Sequence, residues 1–268
     1  MGISNAKVVR LVSLLISGPD EFRDRVLMIV GSRLSRVTQR PPRYGVSDWQ
    51  SVIARLSSLL GCDLDAVLNN AELAGVESSI SRRMELLPKE APFGMFHNGD
   101  LALARLCYGV VRALQPECVL ETGVCYGVTS TFILAALHRN GKGSLHSIDL
   151  PPLGQDSDRF VGWAIADSSL KTRWHLHRGI SKRILPELLR QIGRVDLFVH
   201  DSLHTYGNMR AEFDLVWPHL ATGGVLIADD IQDNAAFQRF VECKHVAFHA
   251  ALGELQKDSL LGILVKST

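Results

Sequence analysis

Between residues 118 and 265 the chain alternates short apolar runs with amphipathic stretches of helical spacing, a pattern that points to a mostly parallel sheet covered by helices. The apolar runs fall at 118–120, 144–148, 173–177, 195–199, 225–228, 245–250 and 261–265. Helical spacing fills the intervals at 129–138, 184–192, 209–217 and 235–243, and another helix over about 99–114 precedes the first run. Only a short connection, 252–259, separates the last two runs, which predicts an antiparallel edge. The expected fold class is α/β, a doubly wound, seven-stranded, mostly parallel sheet.

Residues 1–92 read as a helical N-terminal extension, a cap or an oligomer contact, ahead of an α/β domain over 93–268. Breaks are expected at Gly18-Pro19, at Arg40-Pro41-Pro42-Arg43 and at Pro88. Asp48 is placed to cap a helix carrying Val52, Ile53, Leu56, Leu59 and Leu60. The pattern repeats from Asp63 to Leu73, with Leu64, Val67, Leu68 and Ala71 on one face. Lys7 and Arg10 ahead of the short run Leu11 to Ile16 look superficially like a secretion signal. No A-x-A-like site follows, however, and the charged stretch Asp20 to Arg25 leads into a second amphipathic helix.

Composition narrows the possible partners. Lys plus Arg number 29 against 28 for Asp plus Glu, so no net field draws the chain to nucleic acid or to an anionic membrane. No run approaches the roughly 18 apolar residues of a membrane span. Five cysteines without a C-x-x-C pair suggest neither a disulfide framework nor a zinc ribbon, and a reducing cytoplasm is the expected location.

The chemistry concentrates at three strand ends. In Val119-Leu120-Glu121-Thr122-Gly123-Val124-Cys125-Tyr126-Gly127 a strand ends in an acid and two glycines sit four apart before a helix. Gly123 permits a tight turn, and Gly127 permits close approach of a ligand or a neighbouring strand. The G-x-G-x-x-G signature of dinucleotide folds is absent. The stretch resembles the first motif of class I S-adenosylmethionine-dependent methyltransferases, which implies a Rossmann-like methyltransferase fold with the cofactor on Glu121, Thr122, Gly123, Tyr126 and Gly127. By the same resemblance Asp149, at the end of the second strand, binds the ribose hydroxyls. Ser181 stands where the family contacts adenine, although a plain helix N-cap reads equally well there.

Val195 to Tyr206 is an apolar strand that breaks into His200-Asp201-Ser202-Leu203-His204, and Leu220 to Ile231 contains Gly223-Gly224 and ends in Asp229-Asp230. These stretches resemble the strand-four and strand-five motifs of the metal-dependent small-molecule branch that includes macrocin O-methyltransferase. Asp201, Asp229 and Asp230 would lie together at the carboxyl ends of neighbouring strands, where mutual repulsion raises their pKa values and a hard cation such as Mg²⁺ relieves it. The alternative is that Asp229 and Asp230 are solvated or cap the next helix.

The resemblance implies a metal on Asp201, Asp229 and Asp230, with Asp201 also near the cofactor and catalysis. His204 is the candidate base, with a structural histidine as the alternative; Leu203 stands where relatives carry an acid thought to be the base. His200 and His204 do not suit an H-E-x-x-H zinc site, because the preceding residues read as strand. His97 and Asn98 could close over the cofactor or form a surface turn, and His175 and His177, on one strand face, read as structural.

The expected activity is methyl transfer to a hydroxyl of a small molecule, a sugar or glycosylated natural product by resemblance, in a homo-oligomer. A same-fold enzyme with other chemistry, as in cephalosporin hydroxylation, and a non-catalytic assembly subunit are the alternatives.

Overall fold

The computed structural model describes residues 5–35, 42–93, 101–154, 156–255 and 257–267. His97, Asn98 and the expected break at Arg40-Pro41 lie outside these residues. The strands are β1 (Cys118–Thr122), β2 (Ser144–Asp149), β3 (Trp174–Arg178), β4 (Val195–His200), β5 (Leu220–Ala228), β6 (Val246–Gly253) and β7 (Leu260–Lys266). They form one sheet in the order β3-β2-β1-β4-β5-β7-β6. β1 to β5 run parallel, and β7 is antiparallel to both β5 and β6. The expected antiparallel edge is therefore present. β5 begins at Leu220 rather than at 225, because pairing with β4 continues across a register shift between Val195 and Leu197.

The helices are α1 (Asn5–Ser17), α2 (Pro19–Ser35), α3 (Trp49–Leu60), α4 (Leu64–Leu68), α5 (Ala71–Glu85), α6 (Leu101–Leu114), α7 (Val128–Asn140), α8 (Ser168–Lys171), α9 (Ser181–Ile192), α10 (Tyr206–Val216) and α11 (Ala236–Cys243). Asp48 caps α3 as expected, its carboxylate accepting from the Ser51 amide at 2.8 Å. The single helix expected from Asp63 to Leu73 is instead two. Asn70 accepts from the Leu73 amide at 2.9 Å and starts α5, which turns Ala71 outward into solvent.

One apolar core joins α3 to α7 with one face of the sheet, through Leu56, Leu64, Leu103, Phe132 and Val199. The other face packs on α9 to α11 through Leu185, Phe213 and Phe240. Helices α3 to α5 of the N-terminal extension are thus part of the domain's own core.

α2 instead lies over the carboxyl ends of the strands, held by ion pairs. Buried Asp24 takes the Arg183 guanidinium at 2.7 Å, Glu21 takes Arg178 at 2.5 Å, and Arg25 donates to the Pro151 carbonyl at 3.0 Å. Beside it α1 leaves Val9, Val12, Leu15 and Ile16 exposed. No described helix is long and apolar enough to cross a membrane.

Both motif glycines are required by neighbouring backbone. Gly123 has φ +86°, and a Cβ there would stand 1.9 Å from the Asp201 carbonyl oxygen; Gly127 has φ +77°, and its Cβ would stand 2.7 Å from Gly162 Cα. Gly141 has a similar φ of +74° with open space around it. Gly141→Ala therefore carries only the left-handed backbone cost of about 1 kcal/mol, whereas Gly123→Ala adds the clash and loses at least about 3 kcal/mol. Urea unfolding of the two variants checks this; equal losses would contradict it.

Candidate active site

The strand order reverses between β1 and β4, and open α/β sheets bind ligands outside the carboxyl ends of strands at such a point. A cavity of about 960 Å³ lies there. Thr122, Gly123, Asp149, Ser181, Asp201, His204, Asp229 and Asp230 all line it, with Leu27, Met28 and Val30 of α2 on one wall. Eight sequence-predicted residues thus share one space.

Glu121, Tyr126 and Gly127, expected on the cofactor, do not line this cavity. Glu121 points below the loop, where it accepts from Ser130 Oγ and Ser147 Oγ at 2.7 Å each and burial pushes its pKa up to about 7. Tyr126 is buried; its hydroxyl donates to the Phe93 carbonyl at 2.7 Å, and the ring meets Phe93, itself a wall residue, edge to face. Gly127 faces Gly162 rather than a ligand or a strand.

Asp149 stands at the cavity wall. One carboxylate oxygen accepts from the amides of Val124 and Cys125 at 2.8 Å each, so this acid shapes the glycine loop. Burial pushes its pKa above the usual range despite those bonds. Ser181 is the first residue of α9 rather than its cap, which is Ile180.

Beneath the cavity lies a network that sequence reasoning did not assign. Glu212 of α10 is fully buried and accepts from Thr122 Oγ1 at 2.6 Å, Ser202 Oγ at 2.8 Å and Asn208 Nδ2 at 2.8 Å, and it bonds His200 Nδ1 at 2.6 Å. Burial alone would raise its pKa, but the His200 imidazole and these donors bring it down to about 2. His200 stands in the quoted strand-four motif, and Glu212 lies one helix further on; a buried histidine beside the motif aspartate was the available signal.

The acids gather at the β4 and β5 ends. Asp229 has no exposed surface, and neither of its carboxylate oxygens has a hydrogen-bond partner. It is neither solvated nor a cap. Burial, reinforced by neighbouring carboxylates, pushes Asp201 up to about 8, Asp229 to about 7 and Glu254 to about 9. Asp230 goes the other way, to about 2: burial opposes this, but His204 Nδ1 at 2.9 Å holds the carboxylate charged. The His204 pKa is raised in turn, since that bond and the surrounding acids outweigh burial. Lys257, from the β6–β7 turn, stands 3.7 Å from Asp229. No local motif marks Lys257 or Glu254, because chain closure alone brings the turn here.

A hard divalent cation fits these residues. Asp201, His204 and Asp229 each offer a ligand atom within 4.8 Å of the others, as do Asp229, Asp230 and Glu254; the expected trio of Asp201, Asp229 and Asp230 is thus divided between two groups that share Asp229. The donors are mostly carboxylate oxygens, and the two orphaned oxygens of Asp229 are those a cation would satisfy.

Residues 120–231 match the family described as a methyltransferase domain. The structure resembles an O-methyltransferase from Bacillus cereus in complex with SAH, at 15% identity and TM-score 0.54 over 81% of this chain and 98% of that one. It also resembles the O-methyltransferase TomG of Streptomyces achromogenes, involved in tomaymycin synthesis and in complex with SAM, at 18% identity and TM-score 0.54 over 82% and 97%. SAH-bound PaMTH1 of Podospora anserina matches at 10% identity and TM-score 0.55 over 85% and 100%. At these identities the likeness is one of fold. No curated protein sequence matches significantly.

The Glu212 network gives a pH test. A carboxyl held below its ordinary 4.5 contributes stability that is full above that value and fades as pH falls toward about 2. Glu212→Gln is expected to lower stability by roughly 3 kcal/mol at pH 7, with the gap to wild type narrowing between pH 4.5 and 2. Denaturant unfolding across that range measures it, and a constant gap would contradict the assignment.

Proposed function

We propose that this chain transfers the methyl group of S-adenosylmethionine to a hydroxyl of a small molecule, with a divalent cation such as Mg²⁺ on Asp201, Asp229 and Asp230. One observation carries the reading: a cavity at the switch point, within the stretch that matches a methyltransferase domain, opens directly onto crowded carboxyls around the fully buried Asp229. S-adenosylmethionine supplies an electrophilic methyl group on a sulfonium centre. A cation at the acids supplies charge that draws in acceptor hydroxyls and makes one easier to deprotonate.

The chain's own residues then have distinct tasks. The Gly123 loop and Thr122 receive the methionine portion, and Asp149 holds that loop while its carboxyl serves the ribose hydroxyls. Ser181 borders the adenine end. Glu121, Tyr126 and Gly127 keep the loop in shape from below, an indirect part in cofactor binding. Leu27, Met28 and Val30 exclude water from the cofactor, which favours an in-line displacement.

His204 takes the acceptor proton at Nε2, which is buried without a hydrogen-bond partner while Nδ1 is held by Asp230. The proposed acceptor is a sugar or a glycosylated natural product, whose neighbouring hydroxyls suit a carboxylate-held cation. The exposed apolar residues of α1 support a homo-oligomer, and five free cysteines support a reducing, cytoplasmic setting.

The test is S-adenosylhomocysteine release over a panel of sugars and glycosides. Turnover is expected to need Mg²⁺, to stop with chelator, and to fall at least about a hundredfold in Asp201→Asn. Turnover that survives both chelator and Asp201→Asn would overturn the metal assignment, and transfer to nitrogen or carbon would overturn the hydroxyl acceptor.

A further inference from the structure

Away from the cavity, three imidazoles collect at the edge of the sheet. β3 is the edge strand, and its pairing with β2 sets His146 opposite His175 and Ile148 opposite His177. Paired residues of parallel strands share a face, as do residues two apart, so His146, His175 and His177 project from one side. His146 Nδ1 lies 3.2 Å from His177 Nε2. The His146 and His175 rings stack with centroids 4.7 Å apart. His175 is exposed and the other two are half-buried. None of the three lines the cavity.

The geometry points to a second metal site: we infer that His146, His175 and His177 bind a borderline divalent ion of the Zn²⁺ type, separately from the carboxylate cluster. Imidazole nitrogens at 2.0–2.1 Å on a tetrahedral ion stand about 3.3 Å from each other. His146 and His177 already hold that separation, sharing a proton that a bound ion would displace. Two histidines one residue apart on a strand, with a third on the neighbouring strand, supply three nitrogens and leave a fourth position for water. His175 is stacked on His146, and its nitrogens do not yet converge with those of the other two; it reaches the ion by rotation of its exposed side chain. Burial and the neighbouring imidazoles push His146 down to about 4 and lower His177 too, so their lone pairs are free at neutral pH. An all-nitrogen donor set selects Zn²⁺, Cu²⁺ or Ni²⁺ over Mg²⁺. Bound there, the ion would clip β3 to β2 just before Gly179, Ile180 and Ser181 enter the cavity wall.

The full chain is titrated calorimetrically with Zn²⁺ in excess Mg²⁺, which occupies the carboxylates, and its Cu²⁺ complex is examined by electron paramagnetic resonance. The expected results are Zn²⁺ binding that weakens at least tenfold in His177→Gln and in His175→Gln, and a Cu²⁺ spectrum with couplings to more than one nitrogen. The exposed position of His175 leaves the fold of that variant intact, and the wild-type spectrum needs no variant. Unchanged Zn²⁺ binding in both variants, no Zn²⁺ binding by folded protein, or coupling to a single nitrogen would overturn the site. A loss in His177→Gln alone would overturn the third ligand.

Discussion

A carboxylate with no exposed surface, Glu212, holds the switch point together. Its partners come from the end of β1, the end of β4 and the loop after β4, so one side chain sets the relative position of segments that line the cavity. Burying that charge is costly, and only a full set of donors with a histidine partner offsets the cost. The Gly123 turn depends on the same arrangement, since its backbone lies against the Asp201 carbonyl that follows β4.

Above this rigid floor the balance is reversed. Asp201, Asp229 and Glu254 are crowded and under-supplied with donors, and their raised pKa values express that deficit. The contrast separates scaffold from function: a fully paired buried carboxylate below, donor-poor carboxyls above. Sites that bind cations or reacting groups keep such deficits, because a ligand resolves them.

Much of this was legible in the sequence because parallel strands place their carboxyl ends together, so motifs distant along the chain become neighbours once strand order is known. Gly123, Asp149, Asp201, Asp229 and Asp230 meet for that reason. Glu121 and Tyr126 were misplaced because a strand-end motif does not show which side of the turn a side chain takes; both point beneath the loop. Lys257 and α2 reach the site through closure of the β6–β7 turn and through ion pairs to Arg178 and Arg183, contacts without local periodicity. The helix break at Asn70 was hidden because an asparagine cap inside an apolar pattern leaves the spacing almost intact.

The account stands or falls on the cavity at the β1 and β4 ends. Calorimetric titration of the full chain with S-adenosylmethionine, in buffer containing Mg²⁺, tests it most directly. The account predicts saturable binding in the micromolar range with one site per chain. Absence of binding heat at several temperatures, with the protein shown to be folded, would contradict it.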